Sequence, residues 1–292
     1  VKSVNTYSFA AAEVIIPHVL GDFRGFIYDQ TSWQSICDDG GLFVGFGGLP
    51  LKNAQINQGG TGGHVQKGFV AKAHRAGVEF VNISPLAADM PDTVKSDWLA
   101  IRPNTDTALM LGLCYTLLDE GLQDSDFLDR YCTGFDVFAT YLGGTEDGCR
   151  KSADWAAAIC GLPADDIRNL ARRMAGTRTM ISLSWSLTRQ AHGEQPMWAG
   201  IVLAAMLGQI GLPGGGIGIG YSAVNRVGYD LNRVSFASVP QGINAVKEFI
   251  PVARIADMLL QPGSPFDYNG GRFSYPDILS LIHISEPTRL SV

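Results

Sequence analysis

Polar residues suited to holding a charged nucleotide recur in this chain directly after short apolar runs. Lys52 and Asn53 lie in the loop after the run 42–47 (LFVGFG), and Ser84 follows 78–83 (VEFVNI). Asn104, Thr105 and Asp106 come after 99–102, and Trp185, Ser186 and Arg189 after 179–184 (TMISLS). A carboxylate such as Asp106 can accept both the ring N–H and the exocyclic amine of guanine. Lys52 and Arg189 can neutralise phosphate, the arginine through a bidentate fork. Taken singly, each has an ordinary explanation: Thr105 or Asp106 caps a helix, and Arg189 lies on a solvated face. Together they point to a large polyanionic ligand.

Other motifs narrow the chemistry. The glycine run 211–220 (GLPGGGIGIG) lacks the G-x-G-x-x-G spacing, and no G-x-x-x-x-G-K-[ST] occurs, which disfavours a nicotinamide dehydrogenase or a P-loop enzyme. The run reads instead as a tight turn against a bulky ligand or a neighbouring domain, and 59–63 as a further glycine loop. His18, His64, His74 and His192 are scattered without metal-ligand spacing. Cys37, Cys114, Cys132, Cys149 and Cys160 form no CxxC pair, so neither a disulfide framework, a structural zinc site nor an iron–sulfur run is expected.

The elements that must position these residues alternate. Apolar runs at 42–47, 78–83, 99–102 (the weakest) and 179–184 read as strands. Between them, Val65, Phe69, Val70 and Ala73 fall at helical spacing before Gly77, 108–118 is an apolar helix, and Ile167, Leu170, Ala171 and Met174 share one face of another. A buried helix follows over about 196–210. Strand–helix alternation implies an α/β fold with a mostly parallel, Rossmann-like sheet, whose ligands bind beyond the strands' carboxyl ends. After residue 222 the pattern becomes irregular and polar, with a helix over about 252–260, so a domain boundary is placed there.

Composition sets outer bounds. In 292 residues, 46% hydrophobic and 17% charged side chains exclude intrinsic disorder. A net charge of -6 argues against a nucleic-acid surface, which needs clustered Lys and Arg. The longest apolar stretch, 196–208, falls short of the ~20 residues of a membrane span. The chain opens at Val1 with no basic segment ahead of an apolar one, so no signal peptide is read and the start looks internal to a fold.

Longer stretches resemble the molybdenum enzymes of the dimethyl sulfoxide reductase type, nearest their biotin sulfoxide and trimethylamine N-oxide reductase branch. They are TYSFAAAEVIIPHVLG (6–21), QTSW (30–33), ISPL (83–86), RPNTDTALMLG (102–112), SWSLTRQAHGEQPMW (184–198), GQIGLPGGG (208–216) and IPVARIADMLLQPG (250–263). The likeness runs in order over nearly all of 1–278. It implies a bis(molybdopterin guanine dinucleotide) molybdenum cofactor, with no iron–sulfur cluster in this segment. It also implies that Ser8, after Tyr7, is the protein ligand to molybdenum, a hard alkoxide donor suited to a high-valent metal. The family's dinucleotide contacts map onto Lys52, Asn53, Ile83, Ser84, Asn104, Thr105, Asp106, Trp185, Ser186 and Arg189. Ser84 stands where some relatives carry aspartate, which weakens that contact.

The implied reaction is oxygen-atom transfer from a small S-oxide or N-oxide, with electrons from an unidentified donor. On this reading 1–222 is the nucleotide-binding α/β domain, incomplete at its N-terminus, and 223–278 begins a second domain segment. Residues 279–292 (LSLIHISEPTRLSV) resemble translated sequencing adapter, and the chain is a fragment of a larger enzyme, inactive by itself. The competing readings are a metal-free homologue that keeps only the fold, and a nicotinamide dehydrogenase. The compartment, bacterial cytoplasm or periplasm, is left open.

Overall fold

The structure, a computed structural model, describes residues 2–55, 63–225, 227–229, 237, 239–240, 242–243 and 249–276. By internal contacts the chain forms two compact units, residues 11–232 and residues 1–10 with 233–292. In chain order the first elements are β1 (Lys2–Val4), α1 (Ala10–Leu20), α2 (Phe23–Tyr28), α3 (Trp33–Asp39), β2 (Leu42–Phe46), α4 (Gln66–Arg75), β3 (Glu79–Ile83), β4 (Ser96–Leu99) and α5 (Asp106–Asp119). Then come α6 (Ser125–Tyr131), α7 (Phe135–Leu142), α8 (Ala153–Cys160), α9 (Ala164–Gly176), β5 (Thr179–Leu183), α10 (Glu194–Met206) and β6 (Gly216–Ile219). The last are β7 (Phe249–Pro251), α11 (Ile255–Leu260), β8 (Pro265–Tyr268) and β9 (Gly271–Ser274).

The larger unit is built on a five-stranded, all-parallel sheet in the order β4-β3-β2-β5-β6. β2 and β5 are buried at every residue, as expected where helices cover both faces of a parallel sheet. On one face Trp33 stacks on Phe43 (5.4 Å), which meets Phe80 (5.6 Å) and Tyr221 (5.9 Å), and α3 and α4 close over them. On the other, α10 passes so close that a Cβ on Gly200 would come within 2.7 Å of Leu183. α9 follows its pattern: Ile167, Leu170, Ala171 and Met174 are buried, while Asp165, Asp166 and Arg173 match the helix dipole.

Two expectations need correction. The weak third strand is Ser96–Leu99, not 99–102. As an edge strand it exposes Asp97 and Trp98, and Asp97 pairs with Arg173 (2.9 Å), so its apolar signal is diluted. The glycine run 211–220 is not simply a turn, because Gly216–Ile219 is the edge strand β6, paired with β5. Gly218 is bare because a Cβ there would meet Gln30 Oε1 at 2.3 Å and the Tyr221 ring at 2.6 Å. Between 120 and 163, where the sequence reading named no element, lie α6, α7 and α8; Asp124 caps α6 and Ser152 caps α8.

In the smaller unit β1 pairs in parallel with β7, and β8 and β9 form an antiparallel hairpin. Its turn, Asn269-Gly270, has both residues at positive φ, the type I′ geometry that suits strand twist. Ile250, Met258, Phe266 and Tyr275 form its core, with Phe266 and Tyr275 stacked at 4.4 Å. The glycine loop 59–63 (apart from Gly63), half of 222–245, and residues 277–292 lie outside the described residues.

Candidate functional site

Because every strand of the larger sheet runs the same way, its five carboxyl ends line one edge. Strand order reverses there: the chain moves outward from β2 to β3 and β4, then returns to place β5 on the other side of β2. Such a switch point opens a crevice between the loops after β2 and β5. The first of these carries Lys52 and Asn53, both exposed; the second carries Trp185, Ser186 and Arg189. The sheet ladder continues into both loops, through Gly47 N donating to Ile83 O (2.8 Å) and Ser184 N to Phe46 O (2.8 Å).

The loops interlock closely. Gly47 has φ +83, and a Cβ there would lie 2.5 Å from Ser184 Cβ. At the end of β6, Gly220 has φ +81, and its Cβ would lie 2.1 Å from Trp185 Nε1. Ser184 Oγ accepts from Ser186 N (3.3 Å) and lies 2.8 Å from Ser186 Oγ, while Arg189 N donates to Ser186 O (3.0 Å). Half-buried Trp185 is thereby fixed on a 3-10 turn with Ser186 and Arg189 exposed beside it.

Beyond β3 and β4 the predicted residues differ in role. The Ile83 side chain is fully buried in the core, so Ile83 sets the position of Ser84 rather than presenting a side chain. Ser84 is 1% exposed; its hydroxyl donates to Asp89 Oδ2 (2.7 Å) and accepts from Leu86 N (3.2 Å). Asp89 was missed in the sequence, although the turn-forming Ser84-Pro85 pair ahead of it was a signal. It brings a carboxylate to the edge where only a hydroxyl was expected. Asn82, also missed, fastens this loop by donating to Leu86 O and Ala87 O.

Asn104 sits at φ +65, exposed, and Thr105 Oγ1 donates to Arg102 O (2.7 Å), which closes the turn into α5. Asp106, the first residue of that helix, is 4% exposed and makes no ion pair among the described residues. Burial raises its carboxyl from 3.8 to about 6, opposed by its own backbone N–H. The nearby Arg102 guanidinium is committed elsewhere, donating to Ala158 O and Ile159 O at the end of α8. A buried carboxylate without a cation suits a ligand that donates N–H groups.

These residues fit a nucleotide-bearing cofactor: Asp106 for base N–H groups, Ser186 and Asp89 for hydroxyls, Lys52 and Arg189 for phosphates, and glycine-tight loops between them. A cavity of about 960 Å³ in this unit contains none of them. Phe127, Tyr131, Phe138 and Trp198 make it mostly apolar, and no Lys or Arg lines it, so it suits a polyanion poorly.

Ser8 belongs to the smaller unit. It is half-buried on the turn between β1 and α1, and its N–H donates to Thr6 Oγ1 (3.2 Å). Among the described residues no three His, Cys, Asp or Glu side chains converge on a metal position.

A family model described as molybdopterin oxidoreductase matches residues 5–256. Biotin sulfoxide reductase of Cereibacter sphaeroides is 46% identical over 94% of this chain and 37% of its own length. Dimethyl sulfoxide/trimethylamine N-oxide reductase of the same organism is 40% identical over 95% of this chain and 35% of its length. Trimethylamine-N-oxide reductase of Haemophilus influenzae is 40% identical over 93% and 34%. The chain thus spans about a third of the length of these relatives.

Proposed function

The chain belongs to the molybdopterin oxidoreductase family, and on that premise we propose that it is the nucleotide-holding part of an enzyme that reduces small S-oxides or N-oxides. The net reaction takes one S- or N-oxide, two electrons and two protons to the deoxygenated product and water. The family implies a molybdopterin-bound molybdenum, which when bound supplies the two-electron oxygen-atom transfer. The finer reading, a bis(guanine dinucleotide) form with no iron–sulfur cluster in this segment, is our own.

The observation that carries the reading is the carboxyl edge of the parallel sheet, where the strand-order reversal occurs together with a buried Asp106 that makes no ion pair among the described residues. Asp106 accepts the two N–H groups of guanine. Lys52 and Arg189 meet the diphosphate, and being exposed they act as screened charges rather than buried pairs. Trp185 supplies a flat apolar wall beside Ser186. Ser8 donates its hydroxyl oxygen to the metal, and the turn around it sets where that oxygen stands.

The test is metal and nucleotide analysis of the full-length protein together with turnover of biotin sulfoxide, dimethyl sulfoxide and trimethylamine N-oxide. Molybdenum with about two guanine nucleotides per metal and reduction of at least one substrate are expected, with turnover abolished in Ser8→Ala. Absence of molybdenum, or full activity in Ser8→Ala, defeats the proposal.

A further inference from the structure

We infer that Tyr7 and Tyr268 are positioning residues for Ser8, clamping the turn that carries it; this rests on the reading of Ser8 as the metal donor. The turn begins where β1 ends, at Asn5, whose φ of 63 reverses the chain. Asn5 Oδ1 accepts a hydrogen bond from the Tyr268 hydroxyl, at the end of β8. Two residues on, the Tyr7 hydroxyl donates to Val252 O (2.9 Å), directly after β7. Thr6 Oγ1 then accepts the Ser8 N–H (3.2 Å). Residues 5, 6 and 7 each contribute one tie ahead of Ser8.

The anchors adjoin paired strands and an aromatic cluster. Val252 follows the strand that pairs with β1, and the Tyr268 ring lies 5.5 Å from Phe249, itself 4.7 Å from Phe273. The Tyr7 ring is 63% exposed, so its contribution to the unit is the hydroxyl bond rather than apolar burial. A single donor on a short turn has little geometric tolerance, and second-layer hydrogen bonds set such a donor's position.

The experiment compares wild type, Ser8→Ala, Tyr7→Phe and the Tyr7→Phe/Tyr268→Phe double variant of the full-length, molybdenum-loaded protein. Metal content is read by mass spectrometry and the single-oxygen shell per metal by molybdenum K-edge X-ray absorption. In the metal-free protein, amide exchange of residues 5–9 is followed. Both phenylalanine changes keep the rings and delete only hydroxyls. Metal content should stay near wild type while the oxygen shell weakens in Tyr7→Phe and more in the double variant, and exchange should rise about tenfold. A full-strength shell in the double variant, with Ser8→Ala abolishing it, overturns the clamp and leaves the donor reading standing. Unchanged exchange overturns the clamp as well. A shell that persists in Ser8→Ala overturns the donor reading and this inference with it.

Discussion

Replacing Asp106 by Asn should separate fold stability from nucleotide capture. The carboxyl is 4% exposed at the start of α5, and burial raises it from 3.8 to about 6. The folded chain therefore keeps a proton that the unfolded chain releases between about pH 4 and pH 6. Its contribution is most favourable below the unfolded value and is lost as pH rises through the folded one. A displacement of about two units at ~1.4 kcal/mol each makes the wild type at most about 3 kcal/mol less stable at neutral pH than it would be with a neutral side chain. Asn keeps the shape and removes the charge, so in the metal- and nucleotide-free protein Asp106→Asn should stabilise by up to about 3 kcal/mol near pH 7.5 and by little near pH 4. Urea unfolding at the two pH values measures this directly. The same variant should hold guanine nucleotide ~1–3 kcal/mol more weakly, because a charged acceptor of two N–H groups is lost. An equal stability change at both pH values would refute the buried, uncompensated carboxylate. Unchanged guanosine monophosphate affinity would refute its role.

Gly220→Ala should destabilise the protein by about 2 kcal/mol or more, since the new Cβ meets Trp185 Nε1 at 2.1 Å on a backbone of φ +81; a urea midpoint equal to wild type contradicts this close approach. Ser84→Ala removes the hydroxyl that donates to Asp89 and should cost about 1.5–3 kcal/mol, read as a lowered urea midpoint; a midpoint equal to wild type contradicts the contribution of this bond.

The α/β class, the parallel sheet and most strand-end residues were legible in the sequence, because buried parallel strands are written as unbroken apolar runs and the residues after them must lie at one edge. Lys52, Asn53, Ser84, Asn104 to Asp106, Trp185, Ser186 and Arg189 could be named on that rule alone. Ser8 could not: a lone hydroxyl carries no periodicity or spacing signal, and only the likeness of the surrounding stretch singled it out.

The rest was decided by tertiary pairing. A Gly-rich run became β6 because β5 offered it a ladder and because Gln30 and Tyr221 fill the space its side chains would need. Asp97 and Trp98 became part of a strand through β3 and Arg173. The engagement of Ser84 by Asp89, the hydrogen bonds of Arg102 to the end of α8, and the ties of Tyr7 and Tyr268 around Ser8 depend on contacts that the linear sequence does not encode locally. Local patterns fix which face of an element is apolar. Which polar groups find partners, and so which are left for a ligand, is settled only when distant segments compete for the same hydrogen bonds.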